Sequence, residues 1–229
     1  MAWTAITRPP TPSDTTLQNH SGWSQVYSNP GLGQDGAIVI NYLTRRLEGQ
    51  ASAAVYRYNA SSSPSGDQAI RADIRLPALS VEESFGLMAR VGASGGGYGA
   101  FWQPLVNTLS LYRWIGGTSY SFLTSITTTF DQGSVLTQAF LKVIGTGSGC
   151  TIVAGDATRG SLVTYYDNAS PQTNGKPGIR WNAANGTFGS ANPAWLTNLV
   201  IENWSSGAGS VVHTDGFNLG GWTAIARPS

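Results

Sequence analysis

Charge is what this sequence has least of. Asp, Glu, Lys and Arg make up 11% of its 229 residues, and 13 basic side chains against 12 acidic ones leave a formal net charge of +1. A soluble domain carries about 25% charged residues. A nucleic-acid binder concentrates positive charge, and the neutral balance here excludes that class. Cysteine occurs once, at Cys150, so no disulfide within the chain can form. His20 and His213 are the only histidines, which leaves a thiol nucleophile or a zinc site without partners. Cys150 reads instead as a small buried hydrophobe. No apolar run approaches the ~18–20 residues of a membrane helix. The Ala, Glu, Lys, Leu and Arg surplus of a long-helix protein is missing. The opening residues hold no basic stretch followed by an apolar one, so no secretory leader is expected and a reducing cytoplasm is.

What is abundant is glycine (29), proline (11), tryptophan (8) and tyrosine (9), within 41% hydrophobic content. That content excludes a disordered chain. Residues 1–22 hold three prolines in four positions (Pro9, Pro10 and Pro12), which exclude helix and favour an extended arm. Short β-branched and aromatic runs then predict strands over 37–42, 51–58, 68–76, 83–91, 98–103, 108–114, 120–129, 136–144, 150–154, 159–167, 178–182 and 194–204. Turn material separates them, as at 61–66, 94–97, 116–117, 145–149 and 171–175. The glycine-rich run 92–99 reads as a hairpin loop, because strands flank it and no helix follows to hold a phosphate. A dozen strands without a helical stripe predict an all-β sandwich or barrel over 23–205, between arms at 1–22 and 206–229. In the run 109–114, Leu109, Leu111 and Arg113 are expected on one face and Ser110, Tyr112 and Trp114 on the other.

One heptapeptide occurs twice. Trp3-Thr4-Ala5-Ile6-Thr7-Arg8-Pro9 returns as Trp222-Thr223-Ala224-Ile225-Ala226-Arg227-Pro228, with six of seven positions identical. Two edge strands of one sheet would look alike by β-propensity. Docking peptides would also look alike: an extended segment adds to a sheet edge, Trp anchors it and Pro ends the pairing. Trp3, Ile6, Arg8, Trp222, Ile225 and Arg227 are the candidate docking residues. Two similar peptides imply similar sockets on an oligomeric or repetitive partner.

From about 68 to 203 the order of features resembles the concanavalin A-like lectin/glucanase superfamily, and within it the laminin G-like domains. The segments that carry the likeness are 69–75, 85–90, 97–101, 109–114, 141–145, 163–167, 175–179 and 199–203. The resemblance implies a jelly-roll sandwich of two curved antiparallel sheets, whose concave face binds glycans in many members. The repeated ends resemble short Trp-rich peptides of tailed-bacteriophage structural proteins. That resemblance implies a virion protein, a capsid decoration or a tail-associated accessory, assembled in the bacterial cytoplasm and exposed on the virion surface.

Chemistry is hard to place on this chain. Glycosidases of the superfamily carry alternating carboxylates, Glu-x-Asp-x-Glu, on one strand face. Here the one acidic pair is Glu82-Glu83, whose neighbouring side chains point to opposite faces, while Asp73 and Asp167 stand alone. There is no nucleophile elbow with a His partner, no Walker loop and no zinc motif. No catalytic residue and no resident cofactor are therefore expected. Calcium needs oxygen ligands, which Asp156, Asp167 or Asn168 could offer, though nothing in their spacing demands it. Sugar binding needs aromatic platforms, and Tyr98, Trp102, Tyr112, Trp114, Tyr120 and Trp181 are the candidates; core filling is the competing role. The expectation is a non-enzymatic virion structural protein, docked through its ends and displaying a lectin-like domain for host-glycan adhesion. A free-standing lectin module is the alternative, with a glycoside hydrolase behind it.

Overall fold

The computed structural model describes residues 15–20, 22–28, 37–41, 44, 46–50, 53–60, 66–76, 84–116, 119–145, 148–182, 194–204 and 210–215. They form two antiparallel sheets packed face to face, with strands numbered in chain order. The larger sheet runs β1 (Thr15–Thr16), β3 (Ala37–Asn41), β4 (Arg46–Gln50), β15 (Trp195–Asn203), β6 (Gln68–Arg75), β11 (Val135–Ile144), β12 (Cys150–Asp156) and β13 (Gly160–Asp167). A ninth strand, β16 (Ser210–Asp215), also pairs with β15. The seven-stranded sheet runs β10 (Ser119–Thr127), β9 (Thr108–Gly116), β8 (Gly97–Gln103), β7 (Ser84–Val91), β14 (Lys176–Asn182), β5 (Ala54–Tyr58) and β2 (Trp23–Ser28). The only described helix is a single 3₁₀ turn, Leu17–Asn19, and no described helix is long and apolar enough to cross a membrane. This is the all-β class expected from the strand pattern, in the jelly-roll sandwich form that the resemblance implied.

Period-2 alternation builds the core. Ile70, Ile74, Leu141, Val143 and Ile152 of the larger sheet meet Leu87, Leu109, Leu111 and Ile179 of the smaller, and all are buried. Leu109 and Leu111 thus face inward, as read from the sequence. Cys150 is likewise buried among them. The glycine-rich run forms the β7–β8 hairpin, closed by the Gly92 N–H donating to the Gly96 carbonyl at 2.8 Å. Gly95 sits there at φ +79°, a conformation open to glycine at no steric cost.

Four strands escape the sequence pattern: β1, β2, β4 and β16. In β4, Arg-Leu-Glu-Gly-Gln offers Leu47 as its one apolar residue, too little for a run to register. Sheet pairing also passes both of the expected domain boundaries. Thr15 and Thr16 pair with Ile40 and Val39, and Ser210–Asp215 pairs along β15. The boundaries at 22 and 205 are corrected on that ground: hydrogen bonding across the sheet, which local composition does not reveal, takes these residues into the sandwich. The docking candidates Trp3, Ile6, Arg8, Trp222, Ile225 and Arg227 lie outside the described residues.

One buried cation locks the loops at one end. Arg90 is fully buried at φ +54°. Its guanidinium donates to the carbonyls of Gly66 (3.3 Å), Gln172 (2.7 Å) and Gly145, and to Asp67 Oδ1 (3.3 Å). Three connecting segments are thereby tied to one side chain.

Candidate functional site

The outer face of the seven-stranded sheet is unlike an ordinary solvated face. Strand alternation turns Phe101 on β8, Tyr112 and Trp114 on β9, and Tyr120 and Phe122 on β10 to the same side. Register confirms the set, pairing Tyr120 with Trp114 and Phe122 with Tyr112. Ring centroids lie 5.2 Å apart for Phe101–Trp114 and for Tyr112–Trp114, and 5.4–5.7 Å from Tyr112 to Tyr120 and to Phe122. The tilted and edge-on geometries suit the ring quadrupoles, each pair adding about 0.5–1.5 kcal/mol beyond area burial.

Glycine lets these rings lie down. A Cβ on Gly86 would fall 2.2 Å from the Phe101 ring, and one on Gly99 would fall 2.8 Å from the Trp114 ring. The inner rings therefore lie across neighbouring strands. Phe101 and Trp114 are buried, whereas Tyr120 and Phe122, on edge strand β10, are 59% and 57% exposed. Polar groups border them. Gln103 Oε1 accepts from Ser110 Oγ at 3.1 Å and from Thr108 Oγ1 at 3.3 Å. Ser125 pairs with Ser110 on the same face. An exposed aromatic plane edged by hydroxyls and a carboxamide can stack on an apolar ring face while exchanging hydrogen bonds around its rim.

Arg180 on β14 reaches across the same face. Its guanidinium lies 4.7 Å from the Trp114 ring and 5.7 Å from the Tyr27 ring. Burial lowers its pKa to about 10, which leaves it cationic at neutral pH. Arg57 on β5 shares this side, since it lies two residues from Val55, the residue paired with Arg180.

The sequence candidates divide in two. Tyr112, Trp114 and Tyr120 come together on this face. Tyr98, Trp102 and Trp181 do not: all three point inward and are buried in the core, and as glycan-contact candidates they are corrected on that ground. Trp181 lies 4.8 Å from Phe85 and fills the space above Gly49. The Tyr98 hydroxyl donates to Asp167 Oδ2 at 2.7 Å and accepts from the Gln172 N–H at 2.9 Å. Burial pushes that hydroxyl's pKa well up. Phe101, Phe122 and Arg180 were missed. Alternation from Tyr120 would have found Phe122, but β8 carries aromatics on both faces, so no parity marks Phe101.

Of the oxygen ligands considered for calcium, the two carboxylates, Asp156 and Asp167, are already engaged. Asp156 accepts from the Thr158 and Arg159 N–H groups at 2.9 Å and pairs with the Arg159 guanidinium at 3.0 Å. Asp167 accepts from Tyr98 and from the Ala169 and Ser170 N–H groups, and pairs with Arg113 at 2.9 Å. A cation would have to displace an arginine from either carboxylate, and these residues do not fit one. Among the described residues no three potential ligands converge. Burial alone would raise the Asp167 pKa, but hydrogen bonds from Tyr98, Ser170 and Arg113 outweigh it and hold the carboxyl below its usual range. The strands of the seven-stranded sheet contain no Asp or Glu, so they supply no acid–base pair for glycoside hydrolysis on this face.

Neither a family model nor a curated protein matches the sequence. The structure has relatives of its own. It is similar to the carbohydrate-binding module CBM66 from Bacillus subtilis, at 20% identity and a TM-score of 0.55, over 81% of this chain and 98% of that one. It is also similar to the exoplasmic/lumenal domain of VIP36 in its Ca2+/Man3GlcNAc-bound form, at 11% identity and a TM-score of 0.51, over 86% and 96%. The CBM2 module of the evolved Dit of Lactobacillus casei BL23 phage J-1 superposes at 10% identity and a TM-score of 0.46, over 79% and 89%, too loosely to argue from. The first two likenesses show the fold: a jelly-roll sandwich of two antiparallel sheets.

Proposed function

We propose that the chain is a non-enzymatic carbohydrate-binding protein that holds its glycan on the outer face of the seven-stranded sheet. The aromatic cluster carries this reading. Tyr120 and Phe122 present exposed rings on a rigid base of Phe101, Tyr112 and Trp114, with Ser110, Gln103 and Ser125 beside them for sugar hydroxyls. A glycan array probed with the wild type and with Tyr120→Ala and Phe122→Ala tests it. Losing one ring's stacking at roughly 0.5–1.5 kcal/mol predicts about two- to twelvefold weaker binding, with a thermal midpoint lowered by no more than a few degrees because both rings are more than half exposed. A wild type that retains no array glycan overturns the reading.

The setting we propose is a virion. The two Trp-Thr-Ala-Ile-x-Arg-Pro ends would dock the protein onto a repetitive capsid or tail surface, and many copies would turn weak single-site glycan affinity into host adhesion. Particles stripped of accessory proteins should take up the wild type but not a Trp3→Ala, Trp222→Ala double variant. Equal uptake of both would sink the docking role. A free-standing lectin is the second reading, favoured by β1 and β16, which carry the sheet to within a few residues of each end segment.

A further inference from the structure

The two sheets differ in charge. The strands of the seven-stranded sheet hold Arg57, Arg90, Arg113, Lys176 and Arg180 and no acidic residue. The larger sheet mixes the two signs, with Glu48, Asp73, Asp156, Asp167, Glu202 and Asp215 beside Arg46, Arg71, Arg75 and Lys142. Two of the five cations are neutralised by ion pairs, Arg90 with Asp67 and Arg113 with Asp167. Arg57, Lys176 and Arg180 belong to one side of the sheet. Arg180 pairs in register with Val55, and Lys176 with Val91. Val55 and Val91 both pack in the outer cluster with Phe101 and Trp114. Arg57 lies two residues from Val55 and so shares their face.

Arg57 is the most telling of the three. It stands between Gly178 on β14, which offers no side chain, and the small Ser24 on β2. Its Nε is buried and has no hydrogen-bond partner, and it enters none of the described ion pairs. An unmet buried donor is costly, and a guanidinium fork matches a carboxylate by two parallel hydrogen bonds. From β10 to β5 the face crosses five strand intervals, about 24 Å at ~4.8 Å each. Aromatic rings occupy one end of that span and cations the other, with Arg180 joining them over Trp114.

We infer that this face selects polysaccharides bearing carboxylate groups, with Arg57 meeting the carboxylate while Tyr120 and Phe122 stack on neighbouring sugar rings. The inference rests on the glycan-binding reading and narrows it to one ligand class. The test is affinity electrophoresis of the full chain in gels containing sodium polygalacturonate, its fully methyl-esterified form or dextran, with the glycan array alongside. Retardation is expected in polygalacturonate alone and should fade as NaCl rises, because screening weakens exposed charge pairs. Arg57→Gln should weaken it about tenfold or more, the loss of one charge-assisted hydrogen bond, and Arg57→Lys should restore part of it. Thermal midpoints confirm that both variants fold. Equal retardation by the methyl ester, unchanged in Arg57→Gln, overturns the carboxylate inference and leaves the glycan reading intact. No retardation in any gel and no array signal overturn both.

Discussion

At the scale of single residues, stability concentrates in a few buried polar groups. Arg90 is the largest. Truncating it leaves three carbonyls and the Asp67 carboxylate without their shared donor. Breaking a buried charged network from one side costs about 3–5 kcal/mol, so Arg90→Met should lower the urea-unfolding free energy by that order. A loss under about 1 kcal/mol would show that the loops hold without it. Asp167 gives a pH signature. Its folded-state pKa lies below the usual carboxylate range, so its stabilisation is complete above the unfolded value of about 3.9 and is lost as pH falls through the lower folded one. Thermal midpoints should therefore drop below about pH 4, and Asp167→Asn should flatten that drop while lowering the neutral plateau. Identical acid slopes in both proteins would contradict the assignment.

At the scale of elements, the larger sheet is bent around one carboxylate. Register slips occur on both sides of β6, within β11 and within β15. Each slip carries a residue in the left-handed region, Gln138 at φ +50° and Asn198 at φ +51°. Asp73 serves both bulges. It accepts from the Gln138 N–H at 2.8 Å and from the Asn198 carboxamide at 2.7 Å. Asp73→Ala removes the acceptor that offsets two strained backbones and should cost about 1–3 kcal/mol in chemical denaturation. Asp73→Asn, which keeps an acceptor, should cost less. Equal losses would mean that the carboxylate does not hold the bulges. Strands with strong alternation, such as β9 and β11, could be read directly from the sequence. β4 and β16 could not, because partner strands far away in the chain stabilise them more than their own composition does.

At the scale of the whole molecule, the repeated ends pose a choice between assembly and folding. Removing residues 1–12 and 218–229 should leave the thermal midpoint within a few degrees and abolish uptake onto stripped particles. Cooperative unfolding of the truncated chain would instead make the ends part of the sheet, and the free lectin reading would gain. Segregated charge also belongs to this scale, since no window of sequence displays it. Arg57 lies far along the chain from Lys176 and Arg180 and meets them only because β14 inserts between β5 and β7.

By itself the sequence determined the all-β class, the alternating strands of the middle of the chain, the β7–β8 hairpin and the burial of Cys150, because these follow from local periodicity, turn residues and burial preference. Only the tertiary structure decided which aromatics are core and which are surface. Tyr98 and Trp102 share a strand with Phe101, and all three are plausible on either face until a second sheet covers one of them. Packing covered Tyr98 and Trp102 and left Phe101 beside Trp114, because the side of a strand that becomes interior is set by its partners across the sandwich and not by the strand alone.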